Sequence, residues 1–546
     1  MQGVKLVFYR TLLSQSAVSI TMSSIAAFLR KHNCLVELCL LERGALDNTD
    51  RLFKDIEQHP IAIAKPNFKD FKEMFSFLKE AKARGQFKRV FFCGPFAALN
   101  SQNMIARVEW LDGIIEGEPE ETCLELLNSL SPDFAQWNFS CKGGVWRDPR
   151  TGKIHTLGKR QLAIPLDDFP FPARDIEKNE STGYVNMEMG RGCYYNCSFC
   201  HVPAAHSQTD SARVRVRNPV KVVDEIELIN KLLGKTLFIF NDSVFWGGPV
   251  DDKRILEFCN EIKKRKLNIH FYAYLRCSPW PNEEVFSAMV DAGLVRVFLG
   301  VENSSEATLK IYNKRIKNND YETIKKQLDD KGVNIHIGYI TFQPFSTLDE
   351  ISSNICYLHK IGKLFRLGVI LEGVRVIPGL SMHQQLIKSG LMAENLNFDQ
   401  LTYGYSYKYP EVGKLYQGIK MMFEKNLEKT SYALEYYCVS GQLAKSIAKR
   451  LKKECAPLDP IFKEFDQACA NCNDLLLKYF EAVILQAKQG CSTHEIASQE
   501  SHNEFIHAFR SETLRMEILW GLLRESIRKH VGERVLREVF TGVERT

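Results

Sequence analysis

Three closely spaced cysteines are the residues of this 546-residue chain best suited to binding a metal cofactor. Cys193, Cys197 and Cys200 lie in the segment GRGCYYNCSFCH, which spans residues 190–201. Thiolates at C-x3-C-x2-C spacing can reach three irons of one cubane, because the loop that carries them folds around a corner of the cluster. The spacing therefore predicts a [4Fe–4S] cluster whose fourth iron has no protein ligand.

An iron without a thiolate is open to a small ligand. It can chelate the amino and carboxylate groups of S-adenosylmethionine (SAM) and pass an electron to the sulfonium. The competing interpretation is that the three thiols are structural or hold zinc. Zinc sites prefer four ligands, commonly from two paired knuckles, and His201 is the only nearby candidate for a fourth.

Strand-like and helix-like segments alternate around this motif, from Tyr184 to about Gly390. Because six βα units in succession are typical of a barrel, we expect a partial or full (βα) barrel over residues 184–392, with the cysteines after its first strand. The predicted strands are Tyr184–Met189, Thr236–Phe240, His270–Tyr274, Val295–Gly300, Asn334–Thr341 and Arg366–Val376.

Residues 1–150 show a second βα pattern, which makes the predicted fold class α/β. Strands at this spacing, with helical crossovers such as Phe68–Arg84, predict a parallel Rossmann-like sheet whose ligands bind beyond the carboxyl ends of the strands. A proline-containing linker (151–183) and a mostly helical C-terminal domain (393–546) complete the predicted organisation. The predicted strands are Lys5–Tyr9, Leu35–Leu41, Pro60–Ala64, Arg89–Cys93 and Leu111–Ile115.

The composition excludes some classes of partner. A net charge of +6 over 546 residues is small, so neither a nucleic acid nor a membrane surface is expected as a partner. No stretch reaches the roughly 18 apolar residues that a membrane span needs, and no signal-peptide core opens the chain. The sixteen cysteines lack the dense spacing of a secreted disulfide scaffold, which favours a reducing cytoplasm.

The cysteine motif, with Phe199 before its last cysteine, resembles the signature of the radical SAM superfamily. Three further segments resemble the cobalamin-binding branch of that superfamily: Asn241–Phe245 its "DD-x-F" element, Phe298–Asn303 its "G-x-E-S" element, and Gly338–Pro344 with the residues after it its "P-x-T-x-E-E" region. In such enzymes these strand ends surround SAM. The resemblance implies SAM contacts from Phe199, Asp242, Arg276, Glu302 and Gln343.

The N-terminal region adds to the resemblance. Phe91–Ala97 and Asp112–Glu120 look like the "GG-P" and "D-x-V-x-x-G-E-G-E" segments of cobalamin-binding domains in this branch, although Cys93 and Pro119 each replace a glycine. The D-x-H-x-x-G motif is absent, as it is from the branch, so cobalt would bind without a histidine below it. The competing interpretation is a domain that serves only as scaffold. The implied cobalamin contacts are Ser14, Gln15, Ser16, Gly94, Pro95, Phe96, Gly117 and Glu118.

Two other interpretations concern the remaining cysteines. Methylthiotransferases hold a second cluster on three N-terminal cysteines and end in a small β-barrel, but neither the cysteine spacing nor the helical C-terminus fits them. Cys469 and Cys472 lie three residues apart on one helical face, and no third and fourth ligand follow at the spacing of accessory-cluster domains. We therefore expect the C-terminal cysteines to be buried helical thiols.

The resemblance implies a cobalamin-dependent radical SAM methyltransferase. Such an enzyme uses a [4Fe–4S] cluster, SAM and cobalamin to methylate an unactivated carbon, or phosphorus, of a small molecule or peptide residue. It draws electrons from an external low-potential donor of the flavodoxin or ferredoxin type. Cobalamin-dependent cyclases and rearrangement enzymes share the motifs and remain an alternative. A cobalamin- or SAM-sensing module is a third one, against which the intact three-cysteine motif argues.

Overall fold

A computed structural model describes most of the chain. The described residues are 3–9, 18–41, 58–67, 71–131, 134, 137, 141–179, 184–316, 318–397, 401–451, 456–498 and 500–530. Within them, two parallel-type sheets with flanking helices are followed by a helical region, so the predicted α/β class is confirmed. The described strands are β1 (Val4–Tyr9), β2 (Val36–Leu41), β3 (Ile61–Lys65), β4 (Arg89–Phe92), β5 (Gly113–Ile115), β6 (Gly144–Arg147), β7 (Ile154–Thr156), β8 (Val185–Met187), β9 (Gly190–Gly192), β10 (Val214–Val216), β11 (Leu237–Phe240), β12 (His270–Arg276), β13 (Leu294–Glu302), β14 (Asn334–Tyr339), β15 (Met392–Asn397) and β16 (Thr402–Tyr405).

The helices that matter for the site are short and follow strand ends, whereas the long helices lie in the C-terminal third. Four long helices there pack onto the second sheet and onto one another. The described α-helices are α1 (Ile20–Lys31), α2 (Phe71–Ala83), α3 (Pro95–Leu99), α4 (Ser101–Arg107), α5 (Pro119–Ser129), α6 (Asp175–Asn179), α7 (His201–His206), α8 (Pro219–Leu233), α9 (Asp252–Lys264), α10 (Glu283–Ala292), α11 (Glu306–Ile311), α12 (Asn318–Asp330), α13 (Leu348–Lys360), α14 (Leu367–Leu371), α15 (Ser381–Lys388), α16 (Pro410–Asn426), α17 (Glu428–Leu451), α18 (Asp459–Lys488), α19 (Thr493–Ile496) and α20 (Asn503–His530).

The first sheet has the strand order β2-β1-β3-β4-β5-β6-β7. Its first five strands are parallel, and β6 and β7 extend it antiparallel. Residues alternating along the parallel strands fill two apolar cores, one on each face, because a parallel sheet must be covered on both sides. The sequence did not predict β6 and β7. The predicted linker, 151–183, thus contains a strand of this sheet, and β7 is mostly exposed and lacks an apolar pattern.

The second sheet has the order β14-β13-β12-β11-β8 and is parallel throughout. Five of the six predicted barrel strands are present, and the sixth prediction is wrong. Arg366–Val376 contains the helix α14, and Val376 makes only an isolated bridge to Tyr403. A short apolar run such as Leu367–Leu371 fits a buried helix as well as a buried strand. Here Gly368 donates its backbone N–H to Glu435 of α17 at 3.0 Å, which fixes the segment against the C-terminal helices.

Hydropathy along the helices bears on membrane association. None of the helices in the described part of the chain is both long and apolar enough to cross a membrane.

Candidate functional site

Ser198 anchors the cysteine loop to the second sheet's domain. Its hydroxyl donates to the carbonyl of Ile311 at 2.8 Å, and its N–H donates to the carbonyl of Tyr312 at 3.0 Å. Its own carbonyl accepts the N–H of Met382 at 2.9 Å. These bonds pair the hydroxyl, N–H and carbonyl groups of Ser198, a buried residue between Cys197 and Cys200. They therefore fix the position of the loop at the carboxyl edge of the sheet.

Two tyrosines fasten the other end of the loop. The Tyr194 hydroxyl donates to Asp251 at 3.1 Å, and the Tyr195 hydroxyl donates to the carbonyl of Gly247 at 2.6 Å. A Cβ at Gly247 would overlap the Tyr194 ring, so only glycine allows this packing. Arg213 reinforces the same end, because its guanidinium donates to the carbonyl of Cys193 at 2.8 Å and also to the Tyr195 carbonyl.

The three thiols are half-buried, whereas most other described cysteines are buried. Burial raises the pKa of the Cys193 thiol, and it raises the pKa of Cys200 to about 12. Backbone N–H groups of Tyr195 and Val202 oppose these shifts by donating to the two sulfurs. The Cys197 sulfur accepts from Arg276 at 3.6 Å. Amides and a guanidinium aimed at sulfur are what a thiolate ligand needs, so the set fits an iron–sulfur cluster.

Among the described residues, no three His, Cys, Asp or Glu side chains converge on a point that could hold a single metal ion. A single zinc ion would need its ligands to converge on one such point. A cubane is different, because each thiolate binds its own iron and the sulfurs stay farther apart than the ligands of one ion.

The five predicted SAM contacts lie around the carboxyl edge of the second sheet, in different environments. Arg276 ends β12, stacks over the Tyr195 ring at 3.7 Å and reaches Cys197, so it touches the cysteine loop directly. Glu302 ends β13 with a φ of 71° and forms a buried ion pair with Lys314. Phe199 packs edge-on against Tyr312 at 4.9 Å.

Asp242 and Gln343 are the two deeply buried members of the set. One carboxylate oxygen of Asp242 accepts the N–H of Met189 at 3.0 Å, and burial raises the pKa of the carboxyl group to about 7. Gln343 accepts the N–H of Phe345 at 2.9 Å and donates weakly to Thr308 at 3.4 Å. Gln343 therefore holds the turn after β14, and its role toward SAM stays a prediction.

Several buried polar atoms near these residues have no hydrogen-bond partner among the described residues. They are the second carboxylate oxygen of Asp242 and the hydroxyls of Tyr312, Thr341 and Ser346, in the segments that follow β11, α11 and β14. A buried polar group left unpaired costs about 1–3 kcal/mol, so a ligand that pairs with these atoms would recover that free energy. The amino, carboxylate and ribose groups of SAM could pair with such atoms.

The crevice at the carboxyl edge of the first sheet is partly described. The predicted cobalamin contacts Ser14, Gln15 and Ser16 lie outside the described residues. Gly94 follows β4 with a φ of 89°, a conformation that favours glycine. A Cβ there would lie 3.0 Å from the side chain of Lys65, which crosses Gly94 and donates to the Ser19 hydroxyl at 3.1 Å. Burial lowers the pKa of Lys65.

The remaining predicted cobalamin contacts lie at the boundary between the two sheets' domains. Phe96, next to Pro95 at the start of α3, has its ring 5.7 Å from that of His201, which directly follows Cys200. A Cβ at Gly117 would lie 2.6 Å from Thr209. The segments that follow β4 and β5 therefore lie beside the cysteine loop and the residues that follow it. Their contacts with cobalamin stay predictions.

Glu118 forms ion pairs across the boundary, and its contact with cobalamin stays a prediction. Its carboxylate accepts from Arg191 at 2.5 Å and from Arg215 at 2.7 Å, so it takes part in an ion-pair network between the domains. Lys65, Arg191 and Arg213 are candidate functional residues that the sequence reasoning missed. For Lys65, the sequence signal is a cationic residue at the end of an otherwise apolar strand. For Arg191, the signal is its position within the cysteine motif.

The C-terminal cysteines lie away from this site. Cys438, Cys469 and Cys472 are buried between long helices, and the sulfurs of Cys438 and Cys469 are 3.6 Å apart. Burial raises the pKa of Cys438 and of Cys472, and the neighbouring thiols raise it further.

We therefore expect these thiols to be dispensable for iron. The double variant Cys469→Ala with Cys472→Ala should keep about four irons per chain in anaerobically purified protein, because one cubane carries four. Each lost thiol leaves only a small cavity, so the melting temperature should fall by a few degrees. Iron analysis with a thermal scan checks both results. A wild-type count near eight irons, or loss of iron in the variant, would contradict the expectation.

Comparisons with known proteins agree with this geometry. Residues 187–353 match the model of the Radical SAM superfamily. Over 239 residues the chain is 28% identical to the anaerobic magnesium-protoporphyrin IX monomethyl ester cyclase of Rubrivivax gelatinosus, covering 42% of this chain and 41% of that protein. It is 25% identical over 331 residues to the bacteriochlorophyllide d C-8(2)-methyltransferase of Chlorobaculum tepidum, covering 58% of this chain and 66% of that protein. The chain thus spans less than two thirds of these relatives.

A solved structure covers the whole chain. It is that of the cobalamin-dependent S-adenosylmethionine radical enzyme OxsB with aqua-cobalamin and S-adenosylmethionine bound, with a TM-score of 0.66 at 17% identity over 100% of this chain and 83% of that one. At this identity the likeness shows the fold. Residues 187–353 thus resemble a radical SAM domain, and the fold of the chain is similar to that of a cobalamin-dependent radical SAM enzyme.

Proposed function

We propose that this protein is a cobalamin-dependent radical SAM methyltransferase. The reaction would move a methyl group of SAM, by way of cobalamin, to an unactivated carbon, or to phosphorus, of a small molecule or a peptide residue. The observation that carries the proposal is the approach of the first sheet's strand ends to the cysteine loop, where Phe96 lies against His201. Group transfer needs the reacting atoms within a few ångström, which two facing sheet edges allow.

The second sheet's domain supplies the residues for cluster and SAM. Cys193, Cys197 and Cys200 would hold three irons, while Arg276 offers positive charge beside the Cys197 sulfur. Asp242 presents a buried carboxylate oxygen that could accept the SAM amino group. When bound, the cluster supplies an electron to SAM, and cobalamin supplies a carrier for the methyl group.

The first sheet's domain would hold cobalamin over its strand ends. Gly94 keeps the turn after β4 free of a side chain, and Lys65 presents an amine beside it that can donate to a ligand. Phe96 and Phe199 add aromatic surface to the boundary between crevice and loop. Such surface excludes water, which a reactive radical requires.

An external low-potential donor of the flavodoxin or ferredoxin type would supply the electrons. Asn196, between the first two cysteines, is exposed, and its side chain and carbonyl are held by Arg213 and Asn313. The cysteine loop therefore has one ordered edge at the surface. A protein carrier could approach the cluster from that side.

One relative favours a second candidate. The Rubrivivax protein is named a cyclase, and its 28% identity extends over 239 residues. A cobalamin-dependent radical SAM cyclase or rearrangement enzyme would use the same cysteine loop and crevice without net methylation. The two candidates differ in what becomes of the SAM methyl group.

Product analysis tests both candidates. Reconstituted protein would be incubated with methyl-labelled SAM, hydroxocobalamin, a strong reductant and a metabolite extract. Methyl transfer predicts both 5′-deoxyadenosine and S-adenosylhomocysteine, with label in a new product. The cyclase alternative predicts 5′-deoxyadenosine alone. Absence of 5′-deoxyadenosine in every reaction would rule out radical SAM chemistry.

A further inference from the structure

Arg191 lies two residues before Cys193, in β9, and its guanidinium is surrounded by carboxylates. It donates to Glu118 at 2.5 Å, to Glu120 at 2.7 Å and to Glu188 at 2.8 Å. The Arg191 side chain is only 16% exposed, and that of Glu120 is 1% exposed. All three nitrogens of the Arg191 guanidinium thus donate to carboxylates, in a largely buried environment.

The three carboxylates come from two domains. Glu188 follows β8 in the same domain as the cysteine loop. Glu118 and Glu120 belong to the segment after β5, at the carboxyl edge of the first sheet, where Glu118 precedes the first turn of α5. The neighbouring Arg215 adds a third bond across the boundary, to Glu118 at 2.7 Å.

The geometry around Arg191 joins the root of the cysteine loop to the crevice. Gly117, one residue before Glu118, has a φ of 72° and lies against Thr209, so the turn after β5 is held on both sides. Arg215 lies in β10, which pairs with β9, and Arg215 lies opposite Arg191 in this pair of strands. A shift of that turn must therefore move the Arg191 guanidinium or break one of its charged hydrogen bonds, two residues from Cys193.

We propose that Arg191 is a positioning residue that makes the geometry of the cysteine loop, and hence SAM binding, depend on the turn after β5 in the first sheet's domain. The inference rests on the proposed function in that the loop holds the cluster that binds SAM. The inference goes beyond the proposed function by assigning Glu118 and Glu120 to communication between the two cofactor sites.

A double-mutant cycle tests the coupling without cobalamin. SAM affinity would be measured from the change that SAM causes in the electron paramagnetic resonance spectrum of the reduced cluster, in Glu118→Ala, Arg191→Met and the double variant. Removing either partner should weaken SAM binding by about tenfold, and the double variant should be no worse than Arg191→Met, since residues in one network are not additive. The control cycle pairs Glu118→Ala with Arg84→Met, an exposed residue directly after α2 that pairs with Glu80, and should be additive.

Arg191→Met leaves three carboxylates facing one another, so its iron content must be checked first. If it assembles no cluster, Arg191→Lys, which keeps the charge but loses the fork, takes its place in the cycle. SAM affinity within twofold of wild type in Glu118→Ala, or additivity in the Glu118–Arg191 cycle, would overturn the proposal.

A second arm uses hydroxocobalamin and the matched variant Glu188→Ala. Glu188 and Glu118 each make one bond to Arg191, and both side chains are 20% exposed, but only Glu118 crosses the domain boundary. Hydroxocobalamin should change SAM affinity severalfold in wild type and in Glu188→Ala, and by less in Glu118→Ala, where only Glu120 still joins Arg191 to the segment after β5. A change of equal size in all three proteins contradicts the proposal. If hydroxocobalamin does not bind at all, the cobalamin part of the proposed function fails, and the cycle still decides the role of Arg191.

Discussion

Replacement of Cys197 by alanine should reduce SAM cleavage to the background of iron-free protein. A cubane bound by two thiolates in place of three is exposed to solvent and loses iron, so no electron reaches SAM. Cys193→Ala and Cys200→Ala should have the same effect. The measurements are 5′-deoxyadenosine formation, iron content and the broad visible absorption of thiolate-bound clusters.

The control for this prediction is a cysteine of similar exposure elsewhere. Cys491 is half-buried as the motif cysteines are, and it lies beyond the end of α18, far along the chain from the loop. Cys491→Ala should keep wild-type iron content and wild-type cleavage. Retained cleavage in Cys197→Ala would falsify the assignment of the loop as the cluster site, whatever the state of the crevice.

The sequence predicted the parts of this molecule that are determined by local chemistry. The five parallel strands of each sheet have apolar runs that alternate with helices, and this pattern identifies them without tertiary information. The prediction failed for Arg366–Val376, where the deciding interaction is Gly368 with Glu435, far along the chain. It also missed β7, which is held by pairing with β6 rather than by burial.

The residues of the site also divide into those determined by local sequence and those determined by tertiary contacts. Three cysteines at fixed spacing define a cluster loop locally, because one short loop must reach three irons. The ion pairs of Glu118 with Arg191 and Arg215 are not determined locally, because only the fold brings these residues together. A glutamate in a glycine-containing turn could face a ligand or an arginine, and local sequence does not separate the two. Lys65 was missed for a similar reason, since its interactions with Ser19 and Gly94 are tertiary.

Replacement of Gly94 by tryptophan should abolish cobalamin binding and leave the cluster intact. The backbone at Gly94 has a φ of 89°, and a side chain there would meet Lys65 at 3.0 Å and extend into the crevice between the two sheet edges. A corrin needs a flat, open surface over the strand ends, which an indole would fill. We expect hydroxocobalamin affinity to fall at least about a hundredfold, which corresponds to about 2.8 kcal/mol.

The matched control for that substitution is Gly85→Trp. Gly85 also has a positive φ, 74°, and lies in the same domain, but nothing is within 4 Å of its Cβ position and it does not border the crevice. Both variants carry the backbone strain of a bulky residue at positive φ, so a difference between them reports on the crevice alone. Titration with hydroxocobalamin, followed by its visible spectrum, should show normal binding for Gly85→Trp and none for Gly94→Trp, with equal iron content. Equal affinity in the two variants would place the cobalamin site elsewhere, because an indole at Gly94 cannot coexist with a corrin over the end of β4.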